Sequence, residues 1–173
     1  MSQSTFQLID SGNFQKLEQI GPFRFVRPSP QAVWRPRLAK SEWEKFDAKF
    51  TRNSGGDGKW TIKNQKVKKS FTIKYGGISF KAEITDFGHI GLFAEQIKNW
   101  QIIRGLSKYG AAKEEQFKVL NLFAYTGGSS LAAGQGGAHT VHLDASKTSV
   151  AWARLNAELN GLTDAPIRWI TDD

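Results

Sequence analysis

The sequence contains no cysteine, and this absence excludes two kinds of chemistry. With no thiol among its 173 residues, the chain can form no disulfide bond and can bind no metal through cysteine ligands. Its three histidines, His89, His139 and His142, lack a metal-ligand spacing on a recognisable helix. We therefore expect no metal site, and the lack of cysteine is compatible with a reducing compartment such as the cytoplasm.

Long apolar runs are missing as well. No stretch approaches the roughly 18 apolar residues of a membrane span, and residues 1–10 show no basic segment followed by an apolar one. The expectation is a soluble, cytoplasmic protein with no membrane partner. A hydrophobic fraction of 39% is nevertheless enough for a core. The length predicts one domain, or a small domain joined to part of another.

Acidic residues are scarce in the first part of the chain. Residues 1–110 carry 19 basic and 9 acidic side chains, whereas residues 111–173 carry 5 and 7. This distribution favours a polyanionic partner, RNA, for the first part. Alternatively, the lysines only solubilise an exposed sheet. Trp43 and Trp60 lie near the lysine-rich segment and are either core anchors or platforms for base stacking.

Residues 1–86 are predicted to form a small, basic, β-rich region. Turn residues separate short alternating segments that end at Pro28. The segment from Ser41 to Phe50 predicts a short helix that Ser41 caps, with Glu44 completing a capping box. Gly76-Gly77 between two alternating runs predicts a two-residue hairpin, because glycine readily adopts the positive φ of primed turns.

Residues 87–173 change to helical and parallel-strand patterns. A helix from Phe93 to about Tyr109, with Leu106 on its apolar face and Gly110 at its end, precedes a short apolar run typical of a buried parallel strand at 117–123. The elements that follow are a small-residue helix at 127–137, a strand at 140–144, a helix at 147–160 and a strand at 167–170. The predicted fold class is α/β: a partial Rossmann-like parallel sheet (β-α-β-α-β) preceded by a small β-rich region.

A glycine-containing turn and an acidic strand end indicate a bound cofactor. Gly127 and Gly128 allow close approach of the backbone, and Asp144 at a strand end can accept from both hydroxyls of a ribose. The turn lacks the G-x-G-x-x-G spacing and any Walker A lysine, so an adenosine cofactor without phosphate, such as S-adenosylmethionine, suits it better. Taken singly, the glycine pair is also compatible with a plain helix start.

The segment from Val119 to Gly128 reads V-L-N-L-F-A-Y-T-G-G. It resembles the N-L-F-x-Y-T-G-G form of motif I in the rRNA large-subunit methyltransferase family related to 23S rRNA cytosine-C5 methyltransferase I. Residues 141–162 continue the resemblance, and the end of the chain at 170–173 is similar to the family's acidic motif III. The lead-in segment at 91–100 also resembles the family. The similarity covers most of the chain and is strongest from 87 to 173.

The resemblance implies methyl transfer from S-adenosylmethionine to RNA, and to rRNA in particular. It implies that the lead-in segment lies near the amino-acid end of the cofactor and that the bend at 123–128 surrounds the methionine portion. It also implies that Asp144 binds the ribose and that Asp172 or Asp173 binds the adenine amine. The alternative for the last pair is an unstructured charged end. The candidate cofactor-binding residues are Phe93, Gln96, Asn121, Ala124, Tyr125, Thr126, Gly127, Gly128, Asp144, Ala145, Ser146, Asp172 and Asp173.

Family members handle the acceptor base with a D-P-P-type motif after the fourth strand, so the catalytic residues are expected beyond Asp173. We expect a truncated chain or fragment with little activity alone, whose strand at 117–123 is an open apolar edge that invites self-association. Two rival classes remain open. One is an NAD(P)-binding oxidoreductase half-domain, and the other is a non-catalytic RNA-binding module formed by residues 1–110.

Overall fold

The computed structural model describes residues 6–53, 58–113 and 116–173. These residues form two compact units. The first unit comprises the chain up to residue 74 together with 82–90, and the second comprises 75–81 and 91–173. The division of the chain after residue 86 stays a prediction.

The first unit contains a five-stranded sheet. Its strands, in spatial order, are β1 (Phe6–Gly12), β2 (Gln15–Ile20), β3 (Phe23–Pro28), β4 (Ala48–Arg52) and β5 (Gly58–Ile62). β1, β2 and β3 form an antiparallel meander, whereas β4 runs parallel to β3 and antiparallel to β5. Leu17, Phe25 and Phe50 on these strands are buried.

The helix predicted from Ser41 to Phe50 is wrong in extent and in its cap. Helix α1 spans only Lys40–Trp43, its N-cap is Ala39, and no side chain caps it. The residues after it form β4, in which Ala48 and Phe50 are buried and Lys49 between them is only partly buried. Ala48 and Phe50 are two positions apart, so a strand directs both side chains to the same, buried face. This burial and the parallel pairing to β3 at Phe25 outweigh the weak local preference for a helix.

The predicted hairpin is confirmed. Strands β6 (Ser70–Tyr75) and β7 (Ile78–Glu83) form a two-stranded sheet. Gly76 and Gly77 at the turn have φ values of 60° and 80°, the left-handed conformation that a primed turn requires at both central positions.

The second unit contains the predicted parallel sheet. Its elements are α2 (Ile97–Ala111), preceded by a 3-10 turn at Ala94–Gln96, then β8 (Lys118–Asn121), α3 (Gly128–Gln135), β9 (His139–Asp144), α4 (Lys147–Leu159) and β10 (Ile167–Thr171). The strand order is β10-β9-β8 with both pairings parallel, which confirms the β-α-β-α-β class. The Ser146 hydroxyl accepts from the Ser149 backbone N–H at 3.1 Å and caps α4.

One prediction about burial in this unit is wrong, because Leu106, predicted on the apolar face of α2, is 61% exposed. Helix α2 ends at Ala111, one residue after the predicted end at Gly110. Strand β8 lies at the edge of the described sheet and Leu120 is 63% exposed, as expected for the open apolar edge predicted at 117–123. In the described residues, no helix is long and apolar enough to cross a membrane.

Candidate functional site

The chain makes a strained bend where β8 ends. Phe123, Tyr125 and Gly127 have φ values of 52°, 50° and 93°. Side-chain-bearing residues rarely adopt this left-handed region, and the cost is of order 1–3 kcal/mol each. The Gly127 N–H donates to the Ala124 carbonyl at 3.0 Å, so the bend folds back on itself before α3 begins. Such strain persists only where surrounding contacts hold it, and it is concentrated at ligand sites.

The end of β9 provides those contacts. The Ala124 N–H donates to the Leu143 carbonyl at 3.0 Å, and the Tyr125 N–H donates to Oδ2 of Asp144 at 2.8 Å. Oδ1 of Asp144 accepts from the Ser146 N–H at 2.9 Å. The carboxylate is therefore fixed beside the bend, and each of its oxygens retains a lone pair that can accept from a ligand.

The bend lines a cavity of about 280 Å³. Seven of the candidate residues line it, namely Phe93, Gln96, Asn121, Ala124, Tyr125, Thr126 and Gly128. The structure thus brings together residues from the lead-in segment, from β8 and from the bend. Gly127, Asp144, Ala145 and Ser146 are not among the lining residues, but Asp144 is joined to the bend through the Tyr125 N–H.

The two aspartates at the end of the chain are outside this cavity. Both are exposed. The Asp172 N–H lies 3.3 Å from the Asp144 carbonyl oxygen, so the residues after β10 adjoin the Asp144 backbone rather than the cavity wall. Asp173 has its own N–H donating to the Asp172 carboxylate at 3.0 Å.

The lead-in segment is joined to the bend by direct contacts. The Thr126 hydroxyl donates to the Gly91 carbonyl at 2.6 Å, and the Phe93 and Tyr125 rings lie 5.0 Å apart between centroids. Gly128 leaves room for the Trp100 indole, because a Cβ at this position would lie 2.7 Å from it. Both ends of the segment from Gly91 to Trp100 are therefore fixed against the bend.

The sequence did not reveal every wall of the cavity. Phe80, Leu92, Trp100 and Ser129 also line it. Phe80 lies on β7, more than forty residues before the bend in the chain, and no local signal links the two. Leu92 and Trp100 were visible only as apolar residues of the lead-in segment.

A polar row lies beneath the bend. The Asn121 Nδ2 donates to the Ser130 Oγ at 2.8 Å, and that Oγ lies 3.0 Å from the His142 Nδ1. His142 is fully buried, and its Nε2 has no hydrogen-bond partner among the described residues. Burial lowers the pKa of His142 to about 4, against an opposing and smaller effect of the Asp144 charge. The ring is therefore neutral at physiological pH.

The two tryptophans near the lysine-rich segment have internal partners. The Trp60 indole N–H donates to the Thr85 carbonyl at 2.8 Å, and that of Trp43 donates to the Asp10 carboxylate at 2.9 Å. The Trp60 ring also packs against Phe25 and Phe50. These contacts favour the interpretation of both residues as core anchors.

A parallel β-α-β-α-β unit with a strained, glycine-containing bend beside a carboxylate defines the class of α/β domains that bind nucleotide-type cofactors at the carboxyl ends of their strands. No family model matches the chain. It is 33% identical over 141 residues to the ribosomal RNA large subunit methyltransferase K/L of Colwellia psychrerythraea, covering 81% of this chain and 19% of the relative. It is 38% identical over 102 residues to methyltransferase I of Aeromonas salmonicida, covering 58% and 24%.

Solved structures agree with these relatives. A crystal structure of an S-adenosylmethionine-dependent methyltransferase from Agrobacterium tumefaciens has a TM-score of 0.89 and 43% identity, covering 97% of this chain and 52% of that one. A methyltransferase structure with bound S-adenosylhomocysteine has a TM-score of 0.71 at 21% identity, covering 100% and 47%, which shows the shared fold. Over the segment that it spans, the chain is similar to S-adenosylmethionine-dependent methyltransferases. It spans about a fifth of the length of the first of these relatives and about half of the Agrobacterium structure.

Proposed function

We propose that the second unit binds S-adenosylmethionine and is part of a methyltransferase that acts on RNA, specifically rRNA. The observation that carries the proposal is the position of Asp144, whose carboxylate lies at the end of β9 and accepts from the Tyr125 N–H in the strained bend. A carboxylate at this place can accept from both hydroxyls of a ribose. The rRNA substrate is supported by the names of the K/L and I relatives.

The residues around the cavity fit this cofactor. Aromatic side chains of Phe93 and Tyr125 and polar groups of Gln96 and Asn121 line it, and no lysine or arginine of the described chain is among its lining residues. A cofactor with a pyrophosphate would need backbone N–H groups or cations to bind its charge. S-adenosylmethionine has no phosphate, and when bound it supplies a methyl group activated by the neighbouring sulfonium. We propose that the cavity holds its amino-acid end and that Asp144 holds its ribose.

Titration calorimetry with S-adenosylhomocysteine and with NADH tests this proposal against the oxidoreductase alternative. S-adenosylhomocysteine is expected to bind with one site per chain, because it presents the same ribose and amino-acid groups. NADH is expected to give no saturable heat, because its pyrophosphate finds no lysine or arginine among the described residues that line the cavity. Saturable binding of NADH with none of S-adenosylhomocysteine would refute the proposal.

The binding of RNA by the first unit is also a proposal. Lys66, Lys68 and Lys69 are exposed in the first unit, and we propose that they contact RNA phosphates. The same observation favours the second candidate function, a non-catalytic RNA-binding module.

The cytoplasmic location and the low turnover expected of these residues alone stay predictions. A tritiated methyl-transfer assay on rRNA with this chain tests the latter, and rapid turnover would contradict it.

A further inference from the structure

We propose that Ser130 and His142 are positioning residues that orient the side-chain amide of Asn121, so that its carbonyl oxygen accepts a hydrogen bond from the α-ammonium group of the cofactor. The inference rests on the proposed binding of S-adenosylmethionine and deepens it. It assigns a role to a buried serine and a buried histidine that do not line the cavity. The sheet register, the burial of the two residues and their donors and acceptors carry it.

The first observation is the register of the sheet. Asn121 on β8 is paired with His142 on β9, and His142 is paired with Trp169 on β10. Residues paired in this way on neighbouring parallel strands project to the same face of the sheet. The His142 and Trp169 rings accordingly lie 4.8 Å apart between centroids. The row therefore runs from a packed aromatic ring to the wall of the cavity, which Asn121 lines.

The second observation is the burial of the middle of the row. Ser130 and His142 are both 0% exposed. Ser130 lies in the first turn of α3, and its Oγ is within hydrogen-bond distance of both neighbours, at 2.8 Å from Asn121 Nδ2 and 3.0 Å from His142 Nδ1. A buried hydroxyl with two such partners has little freedom to rotate, so it fixes the direction of donation along the row.

The third observation is the set of donors and acceptors. A neutral imidazole has one N–H and one bare nitrogen, an amide has a donor end and an acceptor end, and a hydroxyl can accept one bond while donating another. The Asn121 Nδ2 donates to Ser130, and we assign the Ser130 O–H as the donor to a bare Nδ1 of His142. The proton of the neutral ring is then on Nε2, which is buried and has no hydrogen-bond partner among the described residues. The amide is thereby held by its nitrogen end, and its carbonyl oxygen is the end left to accept from a ligand in the cavity that Asn121 lines.

An acceptor at this wall matches one end of the cofactor. The amino-acid portion of S-adenosylmethionine carries a protonated α-amino group with three donors, and a hydrogen bond to a charged donor is among the stronger ones in proteins. Reversing the amide would instead present an NH₂ group to an ammonium group. The role of Ser130 and His142 is to prevent that reversal without contacting the cofactor.

The test compares two ligands that share the adenosine and thioether but differ in the amino-acid group. S-adenosylhomocysteine has it, and 5′-methylthioadenosine lacks it. Calorimetry on Ser130→Ala and His142→Leu is expected to show an S-adenosylhomocysteine Kd raised by about threefold to tenfold, the size of a weakened hydrogen bond to a charged group. The Kd of 5′-methylthioadenosine is expected to stay within about twofold, since this ligand makes no bond of that kind.

Two further variants separate positioning from a general loss of structure. His142→Asn places an acceptor oxygen near the position of Nδ1 and is expected to restore the wild-type ratio of the two Kd values. Ser149→Ala makes the same chemical change on α4, away from the cavity, and is expected to change neither Kd. Nitrogen chemical shifts of His142 in the wild-type chain are expected to show the Nε2–H tautomer, and this measurement needs no variant to fold.

The outcomes distinguish this inference from the proposed function. A wild-type chain that binds neither ligand refutes cofactor binding and the inference with it. A wild-type chain that binds both, with variants that weaken both ligands equally or weaken neither, refutes the inference alone. An Nδ1–H tautomer of His142 in the wild-type chain also refutes it, because the serine would then accept from histidine rather than donate to it.

Discussion

Gly91 and the Trp152 ring are so close that no side chain fits between them. A Cβ on Gly91 would lie 2.2 Å from Cζ2 of Trp152, and Gly91 has a φ of 92°. The indole cannot readily move away, because its N–H donates to the Lys81 carbonyl at 2.9 Å. The Gly91 carbonyl in turn accepts from Thr126 in the bend. A small residue at this point therefore determines where the lead-in segment meets the candidate site.

Gly91→Ala should accordingly destabilise the chain. We expect a loss of about 2–4 kcal/mol in the free energy of unfolding, from the steric overlap together with the positive φ. Urea unfolding followed by tryptophan fluorescence measures it. Gly105→Ala is the matched control, because no atom lies within 4 Å of its added Cβ in the middle of α2. This control should gain about 0.5–1 kcal/mol from helix propensity, and equal losses in both variants would contradict the explanation.

Asp144→Ala is expected to weaken binding of S-adenosylhomocysteine by about tenfold to a hundredfold, since it removes a charged hydrogen-bond acceptor and the anchor of the Tyr125 N–H. Asp144→Asn should be intermediate, because its amide has one acceptor oxygen instead of two. Calorimetry measures both. Asp164→Ala is the control, at an exposed loop residue outside the cavity. An unchanged Kd in Asp144→Ala would remove the main support for the proposed function.

The pH dependence of stability should reveal His142. Its pKa in the folded chain is about 4, below the ordinary value of 6.5, so the unfolded chain binds a proton that the folded chain does not. The stability that neutral His142 contributes is therefore fully present above pH 6.5 and lost as the pH falls toward 4, by up to about 3 kcal/mol. Urea unfolding at about pH 7 and about pH 4.5 measures the loss. His142→Asn should lose less over the same interval, and an identical slope would contradict the prediction.

The exposed edge of the second sheet should promote self-association. β8 has a strand neighbour on one side only in the described sheet, and Leu120, Leu122 and Phe123 are 63%, 50% and 88% exposed. Open apolar edges of this kind pair with other chains. Leu120→Lys is expected to shift sedimentation profiles toward the monomer, whereas Leu106→Lys, at a similarly exposed helical position, should not. A wild-type chain that is monomeric at all tested concentrations would exclude the prediction.

RNA binding through the first unit should depend on salt. A triple variant, with Lys66→Glu, Lys68→Glu and Lys69→Glu, is expected to lower the affinity for rRNA fragments. The slope of log K against log salt is expected to become shallower by roughly 0.7–0.9 for each phosphate that the protein no longer neutralises. Fluorescence anisotropy over a salt series measures the slope. Lys147→Glu with Arg154→Glu serves as a charge-reversal control in the second unit. Equal effects of the two sets would favour nonspecific attraction by net charge.

Much of the second unit could be predicted because its signals are local. The strand ending at Asp144 and the helix that begins at residue 147 each depend on residues within a few positions of one another, and the structure has both. The Gly76-Gly77 hairpin is another such case. Motif resemblance added the identity of the cofactor, which periodicity alone left open between several adenosine compounds.

The failures occurred where distant residues decide the outcome. Ala48 and Phe50 form a strand because β3 is available for parallel pairing. Leu106 has the right spacing for a buried helix face, yet no described element covers it, and it is 61% exposed. Spacing indicates which residues share a face, but not which neighbour that face meets.

The sequence by itself determined the class of the fold, the order of the parallel strands along the chain and the approximate position of the bend, because hydrophobic period, capping residues and glycine conformations act over short distances. Only the tertiary structure decided that the Asp144 carboxylate bonds to the Tyr125 N–H, that Phe80 reaches the cavity, and that Asn121, Ser130 and His142 form one row. Those relationships depend on strand register and on the packing of helices over the sheet, which bring together residues that the chain separates.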